Sequence, residues 1–237
     1  MRMIFERAAR VLGEGGMESL SRASVMVVGV GGVGSAAAEC LARTGVGRVI
    51  LVDHDYVCES NVNRQLHALA NTMGRPKAEA MAERLRLINP AIEAVPVHAA
   101  YSPDDPDAVL GFAPGYVIDA IDSLTAKCHL IATCRERGIP IVTSTGSAGR
   151  VDPARVAIAD LAQTDVDPLA KMVRKLLRRR HGFPRSGRFG ITAVYSGEDP
   201  NLREGVDLSA PRGSLAQVTG VFGLFCASVV INALAGN

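Results

Sequence analysis

The chain has 237 residues, 48% of them apolar, enough to bury the core of one large α/β domain. Its formal net charge of +2, from 26 basic and 24 acidic side chains, does not by itself argue for a nucleic-acid partner. The five cysteines (Cys40, Cys58, Cys128, Cys134, Cys226) include no C-x-x-C pair, which argues against a four-thiolate zinc site and for small buried apolar residues. The first ten residues carry charges and no apolar run, nothing like a secretory signal, so a cytoplasmic protein is expected.

Val25 to Gly29 is a short apolar run ending in glycine, as in a parallel strand covered on both faces. Ser35 to Arg43 reads as a helix, and Arg48 to Asp53 as a strand that ends on an acid. Met81, Leu85 and Ile88 predict a helix over 77–87, stopped by Asn89-Pro90. Ile92 to Val97 alternates like a strand, with Pro96 weakening its end. Tyr116 to Asp119 is a fourth strand; Leu124, Cys128 and Ile131 share the buried face of the next helix, and Ile139 to Thr143 is a fifth strand. This alternation predicts an α/β fold with right-handed crossovers and a mostly parallel, doubly wound, Rossmann-like sheet.

Arg155 to Asp160 and Ile191 to Ser196 are expected strands on the far side of that sheet. The uncharged stretch from Leu215 to Ala235 has the length of a bilayer span, for which about 20 apolar residues suffice. Gln217, Thr219, Ser228 and Asn232 interrupt it, and Gly220 and Gly223 allow close backbone packing. A final helix buried against the sheet is therefore preferred over peripheral membrane contact. The expected organisation is one domain: a nucleotide-binding core over 1–150 and a C-terminal elaboration over 151–237.

Gly29-Val-Gly31-Gly32-Val-Gly34 is G-x-G-x-x-G between a strand and a helix. Gly29 permits a tight turn, Gly31 lets phosphate approach the backbone, and Gly34 lets helix and strand pack closely. The helix N-terminus behind the turn offers free N–H groups to an anion. Asp53 stands where a carboxylate accepts ribose hydroxyls. The motif says nucleotide without saying which one.

The residues downstream favour a triphosphate. Asp53, Asp55, Asn61, Arg64, Gln65, Lys77, Asp122 and Ser123 follow in order. A dinucleotide needs few cations, whereas ATP carries about four negative charges and attack at its α-phosphate spreads charge further, which calls for Arg and Lys clamps and a carboxylate-held Mg²⁺. Arg64 and Lys77 can supply the clamps and Asp122 the metal ligand. Each alone also reads as a solvated charge, or in the case of Asp122 as a helix cap.

From 171 to 188 the sequence holds eight Lys or Arg residues and no acid. Lys171, Arg174, Lys175 and Arg178 share helical spacing and could form a basic stripe extended by Arg179 and Arg180, with Met172, Leu176 and Val173 expected opposite. Such a stripe suits RNA phosphates, and the alternative is a solvated helix face. Few aromatics accompany it, so base stacking is not indicated.

The joint order of these residues resembles the ubiquitin-activating-enzyme-like superfamily that includes ThiF and MoeB, and within it the branch that dehydrates threonylcarbamoyladenosine in tRNA. The matching phrases include Val27-Val-Gly-Val-Gly-Gly-Val-Gly-Ser35, Asn61-Val-Asn-Arg-Gln-Leu-His-Ala68, Tyr116-Val-Ile-Asp-Ala-Ile-Asp-Ser123 and Asp167-Pro-Leu-Ala170. The resemblance implies that Asp53 binds ribose, that Asn61, Arg64 and Lys77 surround the triphosphate, and that Asp122 holds Mg²⁺. It places Arg7 where an arginine reaches into a partner subunit's ATP site, implying a homodimer, although Ile4 stands where relatives show another Arg. It implies ATP-dependent cyclisation of the modified adenosine through an acyl-adenylate. ThiF and MoeB carry two C-x-x-C pairs for zinc, and this chain carries none, so no zinc is expected. Pro211-Arg-Gly-Ser214 stands roughly where some dehydratase relatives carry a cysteine, and a thioester on Cys226 is not supported.

Three alternatives remain open to sequence reading: adenylylation of a ubiquitin-like or sulfur-carrier protein, an NAD-dependent oxidoreductase, and a nucleotide-gated RNA-binding module. Docking of a sulfur-transfer protein is also left open.

Overall fold

The computed structural model describes residues 3–200 and 213–236. Seven strands form one sheet: β1 (Ser24–Val28), β2 (Arg48–Val52), β3 (Glu93–Val97), β4 (Tyr116–Asp119), β5 (Ile141–Ser144), β6 (Val156–Asp160) and β7 (Thr192–Ser196). Their spatial order is β3-β2-β1-β4-β5-β7-β6. The central strands are apolar on both sides because helices cover both sides. Val25 and Val27 of β1 join one core, and Met26 and Val28 join the other.

The helices are α1 (Glu6–Arg22), α2 (Gly32–Thr44), α3 (Lys77–Ile88), α4 (Asp107–Leu110), α5 (Leu124–Glu136), α6 (Pro168–Arg180) and α7 (Ala216–Ala235). Buried residues of α1, α2, α3 and α7 make one core with the sheet, and those of α4, α5 and α6 make the other. In-register parallel pairing sets Val28 beside both Val52 and Asp119, so the ends of β1, β2 and β4 lie level. The chain runs outward through β2 and β3 on one side of β1, then crosses to β4 and β5 on the other. That reversal opens a crevice at the carboxyl ends of β1 and β4, the usual ligand position in such sheets.

The parallel first five strands match the sequence expectation, with β5 beginning at Ile141, two residues late. The two C-terminal strands also form, but their arrangement is non-local. β7 lies between β5 and β6, parallel to the former and antiparallel to the latter. Pro96 is tolerated because β3 is an edge strand, where a missing donor need not break a ladder. α1 escaped the sequence reading; it is kinked at Gly13 (φ 71°) and buries only Gly16, Met17 and Leu20.

α7 packs along α2, burying Val218, Phe222, Cys226 and Val230. A Cβ at Gly223 would overlap the Val33 carbonyl, so only glycine permits this approach. The preferred reading of 215–235 as a core helix therefore holds, and the membrane alternative finds no support in this packing.

Candidate active site

The glycine turn closes the crevice from below. Gly29 has φ 89°, and a Cβ there would stand 2.7 Å from the Ala120 carbonyl, so the turn after β1 touches the loop after β4. A Cβ at Gly34 would overlap the Gly29 carbonyl, which explains why α2 can begin so close to the strand. Gly31 is the N-cap of α2, whose first amides face an open cavity of 860 Å³. Gly29, Gly31 and Gly32 line that cavity, and Gly34 lies behind them as packing.

The same cavity is lined by Asp53, Asp55, Asn61, Arg64, Gln65, Lys77, Asp122 and Ser123. Residues from three separate connections, those after β1, β2 and β4, thus meet at one sheet edge. Asp53 is buried and braces the turn: its carboxylate accepts from Val30 N–H at 2.6 Å and Asp55 N–H at 2.8 Å. A carboxylate has acceptor sites for about four bonds, so capacity for hydroxyls remains. Lys77 opens α3 and is 7% exposed; its Nζ donates to Asp55 Oδ2 at 2.7 Å. That hydrogen bond, opposed by partial burial and helped by the ammonium charge, holds the Asp55 carboxyl below its usual range.

Arg64 is half-buried, with its guanidinium donating to the Ser60 carbonyl and to Asn63 Oδ1, both at 2.8 Å. Asn63 in turn donates to the Ser214 carbonyl at 2.8 Å, joining this loop to the segment before α7. Asn61 is buried and accepts from Cys58 N–H at 3.1 Å. Gln65 sits beside Gly31, and its buried Oε1 has no partner among the described residues. Asp122 and Ser123 are exposed at the opposite rim, where Ser123 is the N-cap of α5 without a side-chain capping bond.

Several lining residues gave no sequence signal. Ala99, Ala100 and Tyr101 follow the edge strand; Thr145 to Ala148 form a shelf after β5; Leu169, Ser214 and Thr219 complete the wall. Asp167 fixes the shelf, accepting from Thr145 Oγ1 at 2.6 Å and Gly146 N–H at 3.1 Å while capping α6. Arg150 lies 3.3 Å from Asp167 and is buried with it. The phrase Asp167-Pro-Leu-Ala170 was a visible marker whose contact with 145–148 was not.

On α6, Lys171, Lys175, Arg179 and Arg180 are exposed. Arg174 donates to Thr164 Oγ1 instead, and Arg178 donates to the Pro184 carbonyl while stacking 5.0 Å over Phe189. The buried side is Ala170, Val173 and Leu177; Met172, expected there, is 53% exposed, because the inward arc is rotated by about one residue. Arg7 is exposed on α1 and does not line the cavity of its own chain. Cys226 is buried, and desolvation pushes its thiol up to about 12, which leaves no nucleophile there. Pro211 and Arg212 lie outside the described residues.

A glycine turn, a helix N-terminus and two long cations around one cavity define a nucleotide-binding α/β protein. The model described as ThiF family matches residues 5–237, and the chain belongs to that family. The tRNA threonylcarbamoyladenosine dehydratase of Escherichia coli K12 is 45% identical over 199 residues, covering 83% of this chain and 74% of that protein. The enzyme of the same name from Bacillus subtilis 168 is 44% identical over 196 residues, covering 83% and 75%. The crystal structure of the E. coli enzyme in complex with ATP matches with a TM-score of 0.93 at 40% identity, over 99% of this chain and 95% of that one.

Proposed function

We propose that this protein is an ATP-dependent enzyme that cyclises N6-threonylcarbamoyladenosine in tRNA by dehydration. The observation that carries this reading is the convergence of Arg64 and Lys77 on the cavity above the glycine turn, in a fold matching an enzyme solved with ATP. The threonyl carboxylate is a poor electrophile. Its oxygen attacks the α-phosphorus of ATP, the bond to the β-phosphate bridging oxygen breaks, and pyrophosphate leaves. The carbamoyl group of the same modified base then attacks the acyl carbon, losing a proton and expelling AMP. Holding both reactants in one nucleoside makes the second step effectively intramolecular.

The protein's part is positioning and charge neutralisation. The α2 N-terminus with Gly31 and Gly32 would receive phosphate, Asp53 ribose, and Ala99 to Tyr101 the base. Lys77 would exchange Asp55 for phosphate, and Arg64 and Asn61 would flank it. Asp122 fits a Mg²⁺ ion, a hard cation that takes oxygen ligands and is held by one or two carboxylates plus phosphates. Such an ion would offset the charge of the triphosphate.

Lys171, Lys175, Arg179 and Arg180 would meet tRNA phosphates, with Arg174 and Arg178 bracing the helix. Leu169, at the second residue of α6, already lines the cavity, so the basic helix starts at the reaction site. A homodimer would bring Arg7 of one copy to the ATP site of the other. Action on tRNA fits a cytoplasmic enzyme. Incubating purified protein with ATP, Mg²⁺ and modified tRNA should convert the nucleoside to one lighter by a single water, read by mass spectrometry; an unchanged nucleoside would refute the reading.

A further inference from the structure

Beneath the Asp122 rim lies an ion pair that the chemistry above does not use. Lys127 of α5 and Asp119 at the end of β4 are both 0% exposed, with Nζ 2.7 Å from Oδ2. Nζ also reaches the Ser144 carbonyl at 3.0 Å and Thr143 Oγ1 at 3.3 Å, both on β5. Thr143 Oγ1 donates to the same Asp119 oxygen at 2.6 Å. The other oxygen, Oδ1, accepts from Ile121 N–H at 3.1 Å. Asp119 therefore fixes the backbone one residue before Asp122, and Lys127 ties that residue to the strand end from which the 145–148 shelf departs.

A fully buried pair of this kind is a poor way to gain stability, because desolvating both charges offsets their attraction and apolar replacements are often neutral or better. Its three-way connection instead joins the two loops that form the far wall of the cavity. We propose that Lys127 is a positioning residue: through Asp119 and the Ser144 carbonyl it holds the Asp122 carboxylate where a nucleotide-bound divalent cation is captured. This rests on the reading of Asp122 as the metal ligand.

The test is nucleotide binding by calorimetry, with and without Mg²⁺, in Asp119→Asn/Lys127→Met, which removes both charges at similar volume. The melting temperature and the affinity for ATP in EDTA should stay near wild type, while the Mg²⁺ concentration needed for tight ATP binding rises about tenfold. A variant that folds as well as wild type and keeps its Mg²⁺ requirement would overturn the proposal. If the double variant fails to fold, Thr143→Val, which removes one tether and leaves the pair, decides: a rise of about threefold supports the role and no change refutes it. Wild-type ATP binding that is indifferent to Mg²⁺ would reject the metal reading itself. Wild-type Mg²⁺-dependent binding without turnover of modified tRNA would reject the dehydratase reading and leave Lys127 in place.

Discussion

Lys77 carries the largest electrostatic duty in the cavity, since it is nearly buried and its ion-pair partner among the described residues is half-exposed Asp55. Truncation to Ala should lower kcat/KM for AMP formation by about 10²–10³, the range for losing one preorganised charge stabiliser. The Asp55 carboxyl should then rise toward the ordinary carboxylate range, measurable by NMR titration. Because its folded value is depressed, its stabilising contribution exists above the unfolded value and fades only as pH falls through the folded one, so the change is confined to acid. His67 behaves oppositely in charge but similarly in sign. It is 1% exposed with neither ring nitrogen partnered among the described residues, and burial, then Lys77 and Arg84, push it down to about 4. Between about 6.5 and 4 the unfolded chain binds more protons, so stability should fall with pH by up to about 3 kcal/mol. His67→Leu should flatten the urea midpoint between pH 6.5 and 5; an unchanged slope would show that His67 is hydrated. At this scale the glycines, Asp53, Arg64, Lys77 and Asp122 were legible as lining because motif order puts them in the turns after β1, β2 and β4 and at the start of α3. Asp119 with Lys127, and Asp167 with Thr145, were not, because their meaning is a contact between loops.

At the scale of elements, α7 and α6 make opposite demands. Phe222 is fully buried between α7 and the sheet, and its truncation to Ala should cost about 3–5 kcal/mol in urea unfolding, whereas Leu224→Ala, on the outward face, should change little. Equal effects would mean that α7 does not pack as described. For α6, Lys171→Glu/Lys175→Glu/Arg179→Glu should raise KM for tRNA and reduce its salt dependence by about one unit of slope per lost phosphate contact, with ATP affinity unchanged. Arg174→Ala and Arg178→Ala should chiefly lower the melting temperature. The sequence reading placed all seven strands within two residues of their observed bounds and α7 within one, and marked α6 only by its basic stripe. It missed α1, whose buried stripe is narrow and broken at Gly13, and the β7 insertion, which depends on pairing between distant segments.

The whole molecule is incomplete as a catalyst if Arg7, which does not line its own chain's cavity, acts across a dimer. Mixing Arg7→Ala with Lys77→Ala protein should then restore activity, since each mixed dimer regains one intact site of two; no recovery after subunit exchange would place Arg7 outside the mechanism. On the proposed reading, the seven-stranded sheet, its crevice and the cationic wall position ATP for cleavage at its α-phosphate. The most direct measurement follows the label of α-phosphate-labelled ATP with purified protein and tRNA bearing the modified adenosine. Label should appear in AMP, one per cyclised nucleoside, and only when that RNA is present. Label in ADP, or no cleavage while NAD binds tightly, would contradict adenylate chemistry at this site.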